Sequence, residues 1–384
     1  MKEQTKYRFN YVVYQLGVMF FPYIALYLKE RGQSGAEYGA VMSFTPLATA
    51  LALPFFGILD NGSRGRKILV YAVSALIIVS EWLMVGFGSL TVIMIAVFFA
   101  SAAKAAYNTS IDGVTTVYCV ETGQEFSAYR AFSSLGYILA NLAGAFLFDR
   151  AGFSAVLIIS SVSAVFFALS WSRLKPLSID GLPRKKEHSY RLLFTNKAFI
   201  MFLIYQTLCF TMMTFINNYD IIYQDMRGLP SHVFGITTMI RVGTEILTFF
   251  ILGKLKRLSY KAMLLAAPLF LLAEAFAYYL FIPTEFIYVL MTSAGIGSGL
   301  LIYANNKYLN KIVRPRNVTV GLYVAAMVQN LFVGIATLAG GAAIDRFGAE
   351  YLFLGSGVIL IAACAFTAVF LKREDKVNAG GDFL

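Results

Sequence analysis

The sequence predicts an all-α polytopic membrane protein: twelve transmembrane helices in two pseudo-symmetric six-helix bundles, both termini cytoplasmic. Three observations predict it. Of 384 residues, 58% are hydrophobic and only 14% charged, against about 45–50% and about 25% in soluble domains. Apolar stretches near the roughly 20 residues that cross a bilayer recur along the whole chain. And "LAGAFLFDRAG" (142–152) aligns with "LAGGAAIDRFG" (338–348) at an offset of 196 residues, about half the chain.

Taken in order, the spans run at about 8–28, 37–59, 67–87, 90–117, 128–148, 153–173, 198–219, 232–252, 261–281, 286–306, 318–343 and 350–371. Amphipathic segments with charged outer faces, the mark of a soluble core, are largely missing. The N-terminal "MKEQTKYRFN" enters the first span without a small-residue cleavage site, so that span reads as a retained anchor. The fourth, fifth, tenth and eleventh spans carry polar residues, which leaves their ends softest.

The net charge of +11 raises the question of nucleic acid, and its distribution excludes it. With a cytoplasmic N-terminus, 24 of the 32 Lys and Arg fall in cytoplasmic segments. Lys29, Arg31, Arg150, Arg227 and Arg346 fall outside, and Lys104, Arg130 and Arg241 lie within spans. This is the positive-inside pattern. The basic run "RLKPLSIDGLPRKKEHSYR" then becomes a cytoplasmic linker, dividing the chain into an N-terminal bundle (1–174), a linker (175–196) and a C-terminal bundle (197–384). Six spans on each side, with a repeat in parallel register, fit transporters built from two like halves about a central site. Cys119, Cys209 and Cys364 have no paired spacing, and His188 and His232 lie far apart. They point to neither a disulfide framework nor a metal site.

A charge at the bilayer centre costs at least about 2.5 kcal/mol, so each one needs a partner or water. Seven are candidates: Glu81, Lys104, Asp112, Arg130, Arg241, Glu245 and Glu274. In the fifth span Arg130, Ser134, Tyr137, Asn141 and Gly144 recur at helical spacing and share a face. Lys104, Asn108 and Asp112 share one in the fourth, and Gln206, Met213, Asn217 and Asp220 one in the seventh. Arg241 and Glu245 are placed to pair along the eighth span, either as a structural pair or as part of the mechanism. Lys104 is either a ligand group or a counter-ion to Asp112. Tyr137 is either a stacking platform or packing. Glu81, beside Trp82 near the outer end of its span, is expected to snorkel to the interface.

The motifs narrow this to a family. After the second span the loop reads "GILDNGSRGRK". It resembles the G-x-x-x-D-R/K-x-G-R-R/K loop of the major facilitator superfamily, with Gly57, Asp60, Arg66 and Lys67 recognisable, Asp60 one residue early and Asn61 in the usual aspartate place. The resemblance implies the major facilitator fold and a cytoplasmic gate formed with Asp60, Arg66 and Lys67. "GVMFFPYIALYLKERG" (17–32) and "YRAFSSLGY" (129–137) further resemble the lactose-permease-like branch of oligosaccharide and nucleoside proton symporters. That branch places a carboxylate where Asp112 stands. The DR-x-G tetrads at 149–152 and 345–348 read as helix-ending turns.

A sugar offers hydroxyls and one apolar face. Charged groups make the stronger hydrogen bonds to hydroxyls, and an aromatic ring suits the apolar side. Asp112, Arg130 and Tyr137 supply this set, and the resemblance implies that they bind the sugar; Asn108, Lys104, Asn141 and Asn217 join them as polar lining. Proton coupling needs a carboxylate whose surroundings change as the site opens. Glu245 stands where the branch has a glutamate, with Arg241 one turn away, and Glu274 and Asp112 complete the candidates. The tenth span has Tyr303, Asn305 and Asn306 and no histidine, so the coupling network departs from that of lactose permease.

The leading expectation is a proton-coupled importer of a sugar, glycoside or nucleoside working by alternating access. It would sit as a multi-pass monomer in the plasma membrane, with small-molecule substrate, protons and the lipid bilayer as partners. It would need no cofactor beyond the proton gradient and would bind no nucleic acid. The alternative is a proton-antiport exporter of drugs, metabolites or lipid-like amphiphiles. The fifth span has Gly136 and Gly144 but lacks the G-x-x-x-G-P-x-x-G-G motif frequent in such exporters. No nucleophile elbow or histidine-containing dyad marks an enzyme.

Overall fold

The structure, a computed structural model, describes residues 3–59, 62–174, 190–255, 259–313 and 318–379. The helices are α1 (Glu3–Leu16), α2 (Ile24–Glu30), α3 (Gly35–Leu59), α4 (Gly62–Phe87), α5 (Leu90–Thr122), α6 (Ser127–Ser172), α7 (Tyr190–Thr195), α8 (Lys197–Met226), α9 (Ser231–Lys254), α10 (Tyr260–Tyr279), α11 (Ile287–Ile312), α12 (Val318–Phe347) and α13 (Ala349–Ala379). Among the described residues, ten helices are long and apolar enough to cross a membrane.

Local chemistry sets their ends. Ser34 and Glu37 form a reciprocal capping box before α3: each side chain accepts from the other's backbone N–H, at 3.2 and 2.8 Å. Ser259 opens α10 by accepting from the Lys261 N–H. Asn196 opens α8 through Oδ1, which accepts from the Ala198 N–H at 3.0 Å. The first expected span is not one helix. It breaks between α1 and α2 at Gly17 to Phe20, where backbone bonds become three-residue steps, and Phe21–Tyr23 form a 3₁₀ turn around Pro22.

The expected spans 128–148 and 153–173 run together as the 46-residue α6, broken at Gly152 with φ 74° and ψ −173°. Its repeat partner Gly348 has φ 93° and separates α12 from α13. Both glycines of the internal repeat therefore do the same backbone work, in a region that side-chained residues avoid. Gly35 and Ser231 open helices at the same 196-residue offset. The expected linker contains the short helix α7 at its end; 175–189 lies outside the described residues.

Two compact units form. The first comprises Met1–Arg184, Gln224–Ile236 and Thr337–Ala342; the second comprises Lys185–Tyr223, Thr237–Ala336 and Ala343–Leu384. In the first, α1 packs along α6, and α5 packs against α3 and α4. The seam of α6 against α1 and the 3₁₀ turn that follows it is close because glycine lines it. A Cβ at Gly136 would meet the Val12 Cα at 2.8 Å, and one at Gly144 would meet the Tyr23 ring at 2.5 Å. In the second unit, α10 packs against α11 and α13. Large apolar side chains such as Phe87, Phe166, Phe250 and Ile335 stay exposed, as a lipid-facing surface requires.

Candidate functional site

In the first unit, α1, α5 and α6 bring three polar side chains together. Tyr11 is fully buried, and its hydroxyl donates to Oδ1 of Asp112 at 2.7 Å. Arg130 Nε stands 3.6 Å from the other oxygen, Oδ2. The pair is slack and wet: the Arg130 side chain is 42% exposed and that of Asp112 33%. One turn along α1, Gln15 Nε2 donates to Ser133 Oγ at 2.7 Å, so the serine of this stretch of α6 that is buried is Ser133 rather than its neighbour Ser134. Arg8 lies over the rings of Tyr129 and Phe132, 5.3 Å from each centroid.

Around this pair the other expected residues take different places. Asn108 is half-buried, one turn before Asp112 on α5. Lys104 Nζ sits 4.4 Å from the centroid of Phe21, a cation–π contact, and forms no ion pair with Asp112 among the described residues. Tyr137 is 36% exposed, two turns along α6 from Arg130. Asn141 is buried beside the 3₁₀ turn that follows α1. Its Nδ2 donates to the Tyr137 carbonyl at 2.8 Å, and the Tyr23 hydroxyl donates to its backbone oxygen at 2.6 Å. Asp149, expected only to sit at a turn, also caps α9. Its carboxylate accepts from the backbone N–H groups of Ser231 and His232 at 3.0 and 2.9 Å, and meets His232 Nδ1 at 2.9 Å.

The second unit holds a buried charge cluster. Arg241 on α9 donates from Nη2 to Glu274 Oε2 on α10 at 2.8 Å, with side chains 8% and 0% exposed. The expected pairing of Arg241 with Glu245 along α9 does not form. Glu274 is fully buried, and a buried carboxylate left alone is far costlier than the half-buried Glu245, so the guanidinium crosses to the neighbouring helix. One turn from Glu274, Tyr278 donates to Asp220 of α8. Asp220 lies within electrostatic reach of both Arg241 and Glu274. Arg241 Nε, Glu274 Oε1 and Asn217 Oδ1 are buried without a hydrogen-bond partner among the described residues.

Of the expected gate, Lys67 is exposed on α4; Asp60 and the Arg66 side chain lie outside the described residues. Glu81 corrects the expectation of snorkelling. It is fully buried, bound by Ser160 and Ser161 of α6 at 2.5 and 2.6 Å. Trp82 beside it is 42% exposed and reaches the surface alone. Tyr11 and Gln15 escaped notice in the sequence. Their signal is the spacing Tyr7, Tyr11, Tyr14, a helical face whose polar tips hide in aromatic residues.

Residues 5–355 match the model of the MFS_1 like family. The chain belongs to the MFS_1 like family. It is thus a multi-pass membrane transporter of the major facilitator superfamily. The maltose permease of Geobacillus stearothermophilus is 25% identical over 375 residues, covering 95% of this chain and 94% of that one. An uncharacterized transporter of Bacillus subtilis, YwbF, is 26% identical over 364 residues, covering 92% and 89%. Among solved structures, the nucleoside transporter NupG matches with a TM-score of 0.83 at 15% identity, over 96% of this chain and 99% of that one. A bacterial homolog of the human lysosomal transporter Spinster matches with a TM-score of 0.76 at 13% identity, over 96% and 97%. At these identities the structures speak for the fold alone. The family member described here shares that fold.

Proposed function

We propose that this transporter imports a sugar, glycoside or nucleoside by proton-coupled symport through alternating access. The observation that carries the reading is the slack Asp112–Arg130 pair. Two charges kept in an apolar bundle, held 3.6 Å apart and one-third or more exposed, retain unused donors and acceptors. The Arg130 side chain makes no hydrogen bond among the described residues, only this ion pair. A molecule rich in hydroxyls satisfies both partners at once, and Tyr137, about 10 Å farther along α6, offers a face to the apolar side of a ring. Asn108 and Lys104 of α5, Asn141 of α6 and Asn217 of the second unit are the further polar groups assigned to substrate. The full-length similarity to a protein named maltose permease supports the sugar class.

Proton coupling is assigned to the second unit. Arg241 is one cation among the carboxylates of Glu274 and Asp220, with Glu245 one turn away, so a proton has a place to reside that the guanidinium does not neutralise. Asp112 is the corresponding carboxylate of the first unit. Asp60, Arg66 and Lys67 form the cytoplasmic gate. The reading entails twelve crossings, bundles at 1–174 and 197–384 joined by the linker 175–196, both termini in the cytoplasm and a monomer in the plasma membrane. It makes the protein a carrier and no enzyme, driven by the proton gradient with no cofactor.

Uptake of labelled maltose and labelled uridine into proteoliposomes tests it. Accumulation under an inward proton gradient, lost with an uncoupler and in Asp112→Asn, is the expected result. Accumulation of neither solute, or uptake indifferent to the gradient, overturns it.

A further inference from the structure

Glu81 sits in a hydrogen-bond arrangement that can be solved for its protons. On one side Ser160 Oγ lies 2.5 Å from Glu81 Oε1 and 2.9 Å from the carbonyl of Gly17. A serine hydroxyl carries one hydrogen, whereas a backbone carbonyl and an ionised carboxylate only accept. With Glu81 ionised, one of these two contacts would set acceptor against acceptor with no hydrogen between them. On the other side Ser161 Oγ lies 2.6 Å from Oε2 and receives the Trp82 indole N–H at 3.1 Å. The indole can only donate, so the Ser161 hydrogen is free to go to Oε2. That side is consistent, and the deficit of one hydrogen falls on Oε1.

The surroundings supply no other remedy. Glu81 is 0% exposed and forms no ion pair among the described residues. Of the charged groups on the elements packed against α4, Glu37 of α3 takes the Ser34 N–H, Arg31 after α2 donates to the Tyr27 hydroxyl, Lys104 of α5 is engaged with the Phe21 ring, Asp112 with Arg130 of α6, and Asp149 of α6 with His232. Tyr107 of α5 hydrogen-bonds to Ser74, whose hydroxyl donates to the Val70 carbonyl, so its own hydrogen is committed there. Tyr14 of α1 packs edge-on to Tyr107. The Gly17 carbonyl belongs to the break between α1 and α2, and no backbone N–H takes it among the described residues.

We infer that Glu81 is a proton-binding site. It is a neutral carboxylic acid whose O–H donates to Ser160, leaving the Ser160 hydroxyl to hold the open Gly17 carbonyl. The chain runs Trp82 to Ser161 to Glu81 to Ser160 to Gly17, with every hydrogen placed. The proton fastens the break of the first membrane segment to α4 and α6, in the same segment that carries Tyr11 and Gln15. Removing it leaves either the Gly17 carbonyl unpaired or two acceptors in contact, which releases that break. This proton is separate from the Arg241–Glu274 cluster and does not depend on which substrate is carried.

Infrared difference spectroscopy of purified protein at neutral pH, without ligand, tests it. Wild type minus Glu81→Gln is expected to show the C=O stretching band of a protonated carboxyl, shifted by ¹³C-labelling of glutamate. The folded state then holds one proton more than the unfolded chain. Raising the pH should therefore weaken folding of wild type relative to Glu81→Gln, by up to about tenfold in the equilibrium per pH unit. Absence of the difference band, or identical pH profiles for the two proteins, overturns the inference. So does failure of Glu81→Gln to fold, because the amide offers the same donor and acceptor as the protonated acid.

Discussion

Arg241 on α9 and Glu274 on α10 meet at 2.8 Å with both side chains buried, joining two helices that the α9 spacing alone would have left unconnected. Breaking such a pair strands one charge in the interior, at about 3–5 kcal/mol, whereas replacing both partners by apolar groups is often neutral. Arg241→Met and Glu274→Leu should each lower the thermal unfolding temperature in detergent more than the double variant does. Equal or additive losses would mean that the two charges do not depend on one another.

Tyr11 holds Asp112 by a single hydroxyl at 2.7 Å. A hydrogen bond to a charged acceptor contributes about 1.5–3 kcal/mol, and solvent at the one-third-exposed Asp112 reduces that. Tyr11→Phe should therefore raise the KM for uptake by on the order of tenfold while the protein folds normally. Tyr11 is fully buried, so the ring itself stays packed. An unchanged KM in proteoliposome uptake would remove Tyr11 from the site.

The membrane segments were legible because long apolar runs carry their own signal, and Gly152 and Gly348 because a repeat marks equivalent backbone positions. Asp112 and Arg130 stood out as charges in apolar company. Their geometry did not, since a 3.6 Å separation depends on how α5 lies beside α6. The partner of Arg241 was misread for a related reason. An i,i+4 spacing says which residue a guanidinium can reach on its own helix, and burial on a neighbouring helix decides which it takes. Glu81 was misread through Trp82. Adjacent residues on a helix point about 100° apart, so an interfacial tryptophan says little about the burial of the glutamate before it.

The α1–α6 seam predicts unequal tolerance at its two glycines. At Gly136 a methyl group meets the backbone of Val12 at 2.8 Å, and at Gly144 it meets the Tyr23 ring at 2.5 Å. Overpacking of this kind costs about 1–3 kcal/mol. Gly136→Ala can be relieved only by moving α1, and Gly144→Ala by replacing the ring. Tyr23→Leu should therefore rescue the unfolding temperature of Gly144→Ala and leave that of Gly136→Ala unimproved. Rescue of both, or of neither, would show that the seam is not glycine-determined.

Asp149 gives a final separation between packing and capping. Its carboxylate takes two orphan N–H groups at the start of α9, from Ser231 and His232, and also meets the His232 ring. The backbone bonds are a helix-terminal anion site; the ring contact is one exposed pair and contributes little. Asp149→Ala should cost about 0.5–2 kcal/mol, the usual loss on removing a cap, and His232→Ala much less. Asp149→Asn keeps a carbonyl oxygen that can still accept, so it should lie between them. Amide hydrogen exchange at Ser231 and His232 reads the cap directly. Faster exchange in Asp149→Ala with protection kept in His232→Ala is the expected pattern, and equal loss in both would place the weight on the imidazole instead.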